Sequence, residues 1–162
     1  MPTLLIFRHA KSGHEDGLPD HERTLSPRGR KDAKRMGAFA REQGLVPDRV
    51  LCSTAVRARE TLERFVDGAR YEGPIQHLES LYLAEPAAYV RALADLGDSA
   101  ETVMVVGHNP GLEALLFELT GVREDLPTAT LVECSLPVRT WSDLSGETKG
   151  SLRKTFRPKD ID

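Results

Sequence analysis

Two arginines and two histidines stand where apolar runs of this chain give way to polar residues. Arg8 and His9 follow Thr3–Phe7, Arg57 lies just beyond Arg49–Cys52, and His108 follows Thr102–Val106. Cations gathered in one crevice repel each other unless an anion sits between them. Guanidinium forks match phosphate oxygens in bidentate fashion. A neutral imidazole beside them adds a nucleophilic nitrogen, whereas imidazolium has no lone pair to offer. Free histidine titrates near ~6.5. Burial and neighbouring arginines push it toward the neutral form, and a bound anion pulls the other way. One ring nitrogen must be held by a partner if the other is to face an electrophile. Ser53, at the end of the second run, offers either a hydroxyl donor or a helix N-cap. Singly, each of these residues reads as a capping or solvated side chain; jointly, they mark three strand ends.

The elements that must position them alternate. Thr3–Phe7 reads as a strand, followed by a polar stretch from Lys11 to Arg23 broken by Gly13, Gly17 and Pro19. Ser26-Pro27 opens a helix that runs to about Gln43, with Gly44 at its end and Ala33, Met36, Phe39 and Ala40 facing inward. Arg49–Cys52 is a second strand and Ala55 to about Val66 a second helix. Pro74–Leu78 is a third strand. Pro86–Leu96 is helical, with Tyr89, Val90, Leu93 and Leu96 on one face. Thr102–Val106 is the clearest inner strand, and Asn109-Pro110 starts a helix through about Leu119 that ends at Gly121. Thr130–Leu136 is a further strand, and Leu152–Phe156 either forms a hairpin arm or drapes over the surface. Alternating strands and helices predict a three-layer α/β/α sandwich on a mostly parallel central sheet. Ligands of such sheets bind at the carboxyl ends of the strands. That rule sends Arg8, His9, Arg57 and His108 to one edge.

Composition narrows the classes. A chain of 162 residues suits one domain over 1–162. The net charge of −3 gives no global attraction for nucleic acid or an anionic membrane, so any anion site must be local. The two cysteines, Cys52 and Cys134, form no CxxC pair, and no carboxylate cluster shows metal spacing, so no metal or other cofactor is expected. Leu4–Phe7 is too short for a signal segment or a membrane span, which makes a cytoplasmic location the default. A monomer is the expected state.

The segment LLIFRHAKS resembles the Arg-His-Gly signature of the histidine phosphatase (phosphoglycerate mutase-like) superfamily. Ser53–Thr61 resembles its second basic motif, and Val106-Gly107-His108-Asn109-Pro110 its second histidine motif. Arg23–Gly29 and the short length resemble the small bacterial phosphohistidine phosphatases. The likeness spans most of residues 3–121. It implies a phosphoglycerate mutase-like fold, with His9 as nucleophile, Arg8 and Arg57 gripping phosphoryl oxygens, and His108 and Ser53 completing the pocket. Thr61 and Glu60 fall to packing or support. Ala10 stands where the pattern usually has Gly, so the turn needs a negative φ there.

The expected activity is that of a metal-independent phosphatase that forms a phosphohistidine at His9 and hydrolyses it. Its expected substrate is a phosphohistidine on a signalling or phosphorelay protein. Relatives that act on phosphate esters also use an acid to protonate the leaving oxygen, and Glu79, after the third strand, is the candidate. Two other readings fit the same residues: a small-molecule phosphomonoesterase, and a phosphoprotein-binding module without turnover. Neither nucleic acid nor membrane is an expected partner. Arg23, Arg28 and Arg30 read either as a solvated loop and helix start or as a docking surface for an acidic partner. The Lys11–Arg23 stretch is expected to border the crevice.

Overall fold

The computed structural model describes residues 1–13, 17–97 and 100–161. Strand β1 (Thr3–Arg8) leads into helix α1 (Pro27–Glu42). The Ser26 hydroxyl caps α1 by accepting the Gly29 N–H at 3.0 Å, with Pro27 in its first turn. β2 (Arg49–Ser53), α2 (Val56–Ala69), β3 (Ile75–Leu78) and α3 (Pro86–Ala94) follow, then β4 (Thr102–Gly107), α4 (Gly111–Thr120), β5 (Leu131–Ser135) and β6 (Ser151–Phe156). Short 3-10 turns occupy Asp20–Glu22, Glu79–Leu81, Trp141–Asp143 and Pro158–Asp160. The second helix runs a turn further than the sequence pattern predicts and the third ends a residue pair earlier, where Asp95 takes the C-cap. The segment 152–156 is a strand, paired with β5.

The sheet has the order β3-β2-β4-β1-β5-β6. β3, β2, β4 and β1 are mutually parallel, and β5 runs antiparallel to both of its neighbours. Alternation along each strand splits the core into two layers. Leu5, Phe7, Val50, Cys52, Met104 and Val106 pack under α1 and α2. Leu4, Ile6, Leu51, Val103 and Val105 pack under α3 and α4, where Trp141 is fully buried. This is the three-layer α/β/α arrangement with a mostly parallel sheet that the sequence implies. Phe39 is only partly buried and stacks edge-on against Phe156 at 4.9 Å. Among the described residues no helix is long and apolar enough to cross a membrane.

The α1/α2 pair is held unusually close. A Cβ on Gly37 would lie 2.2 Å from the Phe65 carbonyl oxygen, and one on Gly68 2.2 Å from that of Lys34. Only glycine permits this approach. It fixes α2, and with it Arg57 in the first turn, against the rest of the layer.

Candidate active site

Register brings the predicted residues to one edge. Arg8 is opposite Gly107 across β1 and β4, and Cys52 is opposite Val106 across β2 and β4. His9, Ser53 and His108 therefore leave neighbouring strands at one level. The His9 N–H donates to the Gly107 carbonyl at 3.1 Å, and the His9 and His108 rings lie 5.2 Å apart between centroids. Gly107 must be small, because a Cβ there would fall 2.1 Å from the Tyr89 hydroxyl. That hydroxyl accepts the His108 N–H at 3.4 Å.

α2 is tied to the same turn through Thr61. The Thr61 hydroxyl accepts the Ala10 N–H at 2.9 Å and donates to the Arg57 carbonyl at 2.7 Å, all within buried surroundings. Ala10 is fully buried and is not among the described residues with positive φ, so a side chain is tolerated where the motif usually carries glycine. Glu60, one residue earlier, holds the Leu25 N–H at 2.8 Å.

The His9 tautomer follows from its partner. Nδ1 lies 2.8 Å from the Ala10 carbonyl oxygen, which can only accept, so Nδ1 carries the proton. The neutral ring then has its lone pair on Nε2. Burial pulls the His9 pKa down to about 4; Arg57, Arg8 and Arg23 add to the shift, and the Ala10 carbonyl opposes it. His108 is pushed down to about 3, again mainly by burial, with His9, Arg57 and Arg8 contributing and Asp20 opposing. Both imidazoles are neutral at neutral pH. The His108 Nε2 and the Ser53 hydroxyl are 2.7 Å apart, and His108 Nδ1 has no partner. Ser53 does not cap α2. The N-cap residue is Ala55, whose N–H reaches the Ser53 oxygen at 3.3 Å.

Each guanidinium is anchored by a loop distant in sequence. Arg8 donates to the Leu126 carbonyl at 2.8 Å, and its buried Nε has no partner. Burial lowers the Arg8 pKa, with Glu113 countering and Arg57 reinforcing the shift. The Leu126 loop is clamped to α4: Asn109 donates to the Leu126 carbonyl at 2.9 Å and the Leu126 N–H to Glu113 at 2.7 Å. Arg57 is 4% exposed and donates to the Asp20 carbonyl at 2.7 Å and to the Asp20 carboxylate at 3.1 Å. The Tyr82 hydroxyl donates to that same carboxylate. This bond, with those from Arg57 and Arg23, holds the Asp20 carboxyl down at about 2 against the opposing effect of burial. Tyr82 also sets its ring edge-on to His108 at 5.6 Å and to His21 at 4.7 Å.

Glu79 stands apart from the four. It accepts the Thr54 hydroxyl at 2.5 Å, lies 3.8 Å from His21 Nε2, and its side chain is 72% exposed. It belongs to the rim, one residue beyond Ser53 by way of Thr54. The described part of the Lys11–Arg23 stretch joins the same rim through Asp20 and His21, whose Nε2 lies 3.0 Å from the Thr54 hydroxyl; positions 14–16 of that stretch lie outside the described residues. Asp20, Tyr82, Asn109 and Glu113 were not legible as site residues. They act through long-range contacts, and the one local hint was a polar stretch placed beside the crevice. Among the described residues no group of three or more His, Cys, Asp or Glu is arranged to hold a metal ion.

The arrangement gathers a neutral imidazole with a free nitrogen lone pair, two fixed guanidiniums and a second neutral imidazole, a set chemically suited to a tetrahedral oxyanion. A protein of Mycobacterium tuberculosis is 40% identical over 116 residues, covering 72% of this chain and 71% of its own length. A candidate phosphohistidine phosphatase SixA from Nakamurella multipartitia superposes with a TM-score of 0.87 at 26% identity, over 97% of this chain and 96% of that one. A second candidate of that description, from Agrobacterium tumefaciens, gives 0.83 at 25% identity, over 98% and 99%. The model of the histidine phosphatase superfamily, branch 1, matches residues 4–82, which include Arg8, His9, Ser53 and Arg57. With the two motif halves joined at one sheet edge and these relatives sharing the fold, the chain belongs to the histidine phosphatase superfamily.

Proposed function

We propose that this chain is a phosphatase that takes a phosphoryl group onto His9 Nε2 and then passes it to water, with protein phosphohistidine as its substrate class. The observation that carries the reading is the His9 Nδ1 bond to the Ala10 carbonyl, which leaves Nε2 neutral and unprotonated beside two arginines. In the first step the Nε2 lone pair forms a bond to phosphorus while the bond to the leaving group breaks. Arg8, Arg57 and His108 face the oxygens over which negative charge spreads. In the second step water attacks phosphorus, the N–P bond breaks, and inorganic phosphate leaves His9 neutral again. Ser53 orients His108 and Thr61 holds the nucleophile's turn to α2.

The substrate class rests on leaving-group chemistry and on the neighbours. An imidazole protonated on its far nitrogen departs without help, so a phosphoramidate needs no strong acid at the rim. Glu79, exposed and tied to Thr54, is the carboxylate available for an ester leaving group. The two solved structures named above are described as candidate phosphohistidine phosphatases.

The test is trapping with labelled substrate under an alkaline denaturing quench, since phosphoramidates hydrolyse in acid. Label is expected on His9 and absent from His9→Ala, which also loses turnover. Burst turnover without label at residue 9, or wild-type rates in His9→Ala, would remove the covalent route. Comparing a phosphohistidine peptide with a panel of phosphomonoesters decides the substrate class.

A further inference from the structure

The chain as a whole is acidic, yet one groove beside the catalytic edge is strongly basic. It lies between the start of α1 and the turn Pro158–Asp160, and encloses about 220 Å³. Lys11, Arg28, Arg157 and Lys159 line it, with Pro127 and Thr128. Lys31 continues the same face. Lys11, Arg28, Lys31 and Lys159 are all exposed.

These charges are only partly neutralised within the protein. The acidic residue in the groove, Asp32, is shared by Arg35 at 3.1 Å and Arg28 at 3.7 Å, so two guanidiniums meet one carboxylate. Arg157 is matched by Glu124 at 3.2 Å. Lys11, Lys31 and Lys159 have no ion-pair partner among the described residues. Like charges gathered along one groove repel unless something negative joins them.

The groove is built onto the site. Lys11 follows His9 by two residues, and its carbonyl accepts the Ser26 N–H at 2.9 Å, which fixes Lys11 against the start of α1. The opposite wall, Pro127 and Thr128, continues directly from Leu126, whose carbonyl holds Arg8. Ala129, next in that wall, donates to the Arg8 and His9 carbonyls at 3.2 and 3.1 Å. A chain whose phosphorylated residue reaches His9 would therefore lay its flanking residues over these lysines.

Resting on the proposed function, we infer that the groove docks an acidic segment of the phosphorylated protein, so that Asp and Glu beside the phosphorylated residue set the specificity. A small phosphoramidate does not reach the groove and gains nothing from it. Electrostatic matching of this kind acts on encounter and affinity and leaves the chemical step alone.

The experiment uses the full chain and three probes: phosphoimidazole, and two phosphohistidine peptides identical except for Asp and Glu or Ser and Gln in the flanks. Wild type is expected to prefer the acidic peptide through KM, with a kcat/KM that falls steeply as salt rises. Lys31→Glu/Lys159→Glu is expected to raise KM for that peptide about tenfold, with kcat and phosphoimidazole turnover unchanged. Arg91→Glu/Arg139→Glu, on the α3/α4 side of the sheet, is expected to change neither peptide. Equal KM for both peptides in wild type, or equal effects from the two double variants, would overturn the docking groove. Absence of phosphoimidazole and phosphohistidine turnover in wild type would instead overturn the substrate class, and the same flanks on a phosphoserine peptide would then decide the groove.

Discussion

Replacing Thr61 by valine tests whether the nucleophile's turn is held by one hydroxyl. Thr61 is fully buried and nearly the same shape as valine, so packing is almost unchanged while the hydroxyl is lost. The Ala10 N–H, 2.9 Å from that oxygen, is then left inside a buried environment without a partner. The Arg57 carbonyl loses its bond at 2.7 Å but, inside α2, keeps its backbone partner. The loss is therefore mainly one unsatisfied buried donor, about 1–3 kcal/mol of folding stability. For a chain of this size that lowers Tm by roughly 2–4 °C per kcal/mol. Activity should fall further than stability implies. Ala10 also supplies the carbonyl that sets the His9 tautomer, so a loosened Ala10 peptide lets Nδ1 and Nε2 exchange the proton. We expect kcat to drop at least about tenfold, in line with the penalty for misplacing a reacting group. Urea unfolding and steady-state kinetics with phosphoimidazole measure the two effects. Thr61→Ser should restore both. Thr61→Val within about 0.5 kcal/mol of wild type and with unchanged kcat would refute the idea that Thr61 holds this turn, since only a surface-like effect would remain.

Three further outcomes are expected. The acid limb of kcat/KM should fall near pH 4 rather than near 6.5, because His9 is held at about 4; an inflection at 6.5 would place the nucleophile in a more solvated setting. The same depression couples to stability: between pH ~6.5 and 4 the unfolded chain binds more protons at His9 and His108, so stability is full above ~6.5 and is lost as pH falls, and His9→Gln should flatten that slope in urea titrations. Arg57→Lys should cost about 2–4 kcal/mol in kcat/KM, and turnover should persist in excess EDTA, since the guanidinium groups supply the positive field; a strict metal requirement would contradict this. Glu79→Gln should leave phosphoimidazole turnover within about threefold while slowing phosphate esters by about tenfold or more, and equal slowing of both would assign Glu79 a role common to all substrates.

How much of this was readable beforehand depends on how local the signal is. The apolar runs ending at Arg8, at Ser53 and at Gly107 carry strand identity and direction in themselves, and a parallel sheet then places their ends together. Ser26-Pro27 announces α1 through capping chemistry that involves only its own first turn. Helix ends are less legible because tertiary packing sets them. α2 continues to Ala69 since Phe65 and Ala69 pack into the α1 layer, and a propensity argument has no access to that layer. Ser53 shows the same limit from the other side. Its type and position allow a helix cap, and only the register that sets His108 beside it turns the hydroxyl to the imidazole.

The direct anchors of Arg8 and Arg57, which sequence left unread, come from distant parts of the chain. Asp20 reaches Arg57 across 37 residues, and Leu126 reaches Arg8 across 118. A buried guanidinium without fixed partners would be both costly and badly aimed. The strand ends can therefore deliver the cations, but loops must hold them. The Asp20 carboxylate illustrates why this hold is incomplete by design of charge. Ionised down to about pH 2, it pairs with Arg57 at 3.1 Å from a half-exposed position, where water screens the pair. A carboxylate equally close but buried would be screened far less and would cancel more of the arginine's field. On the proposed function, a partner that solvent screens holds Arg57 in place while letting an incoming dianion compete for the guanidinium.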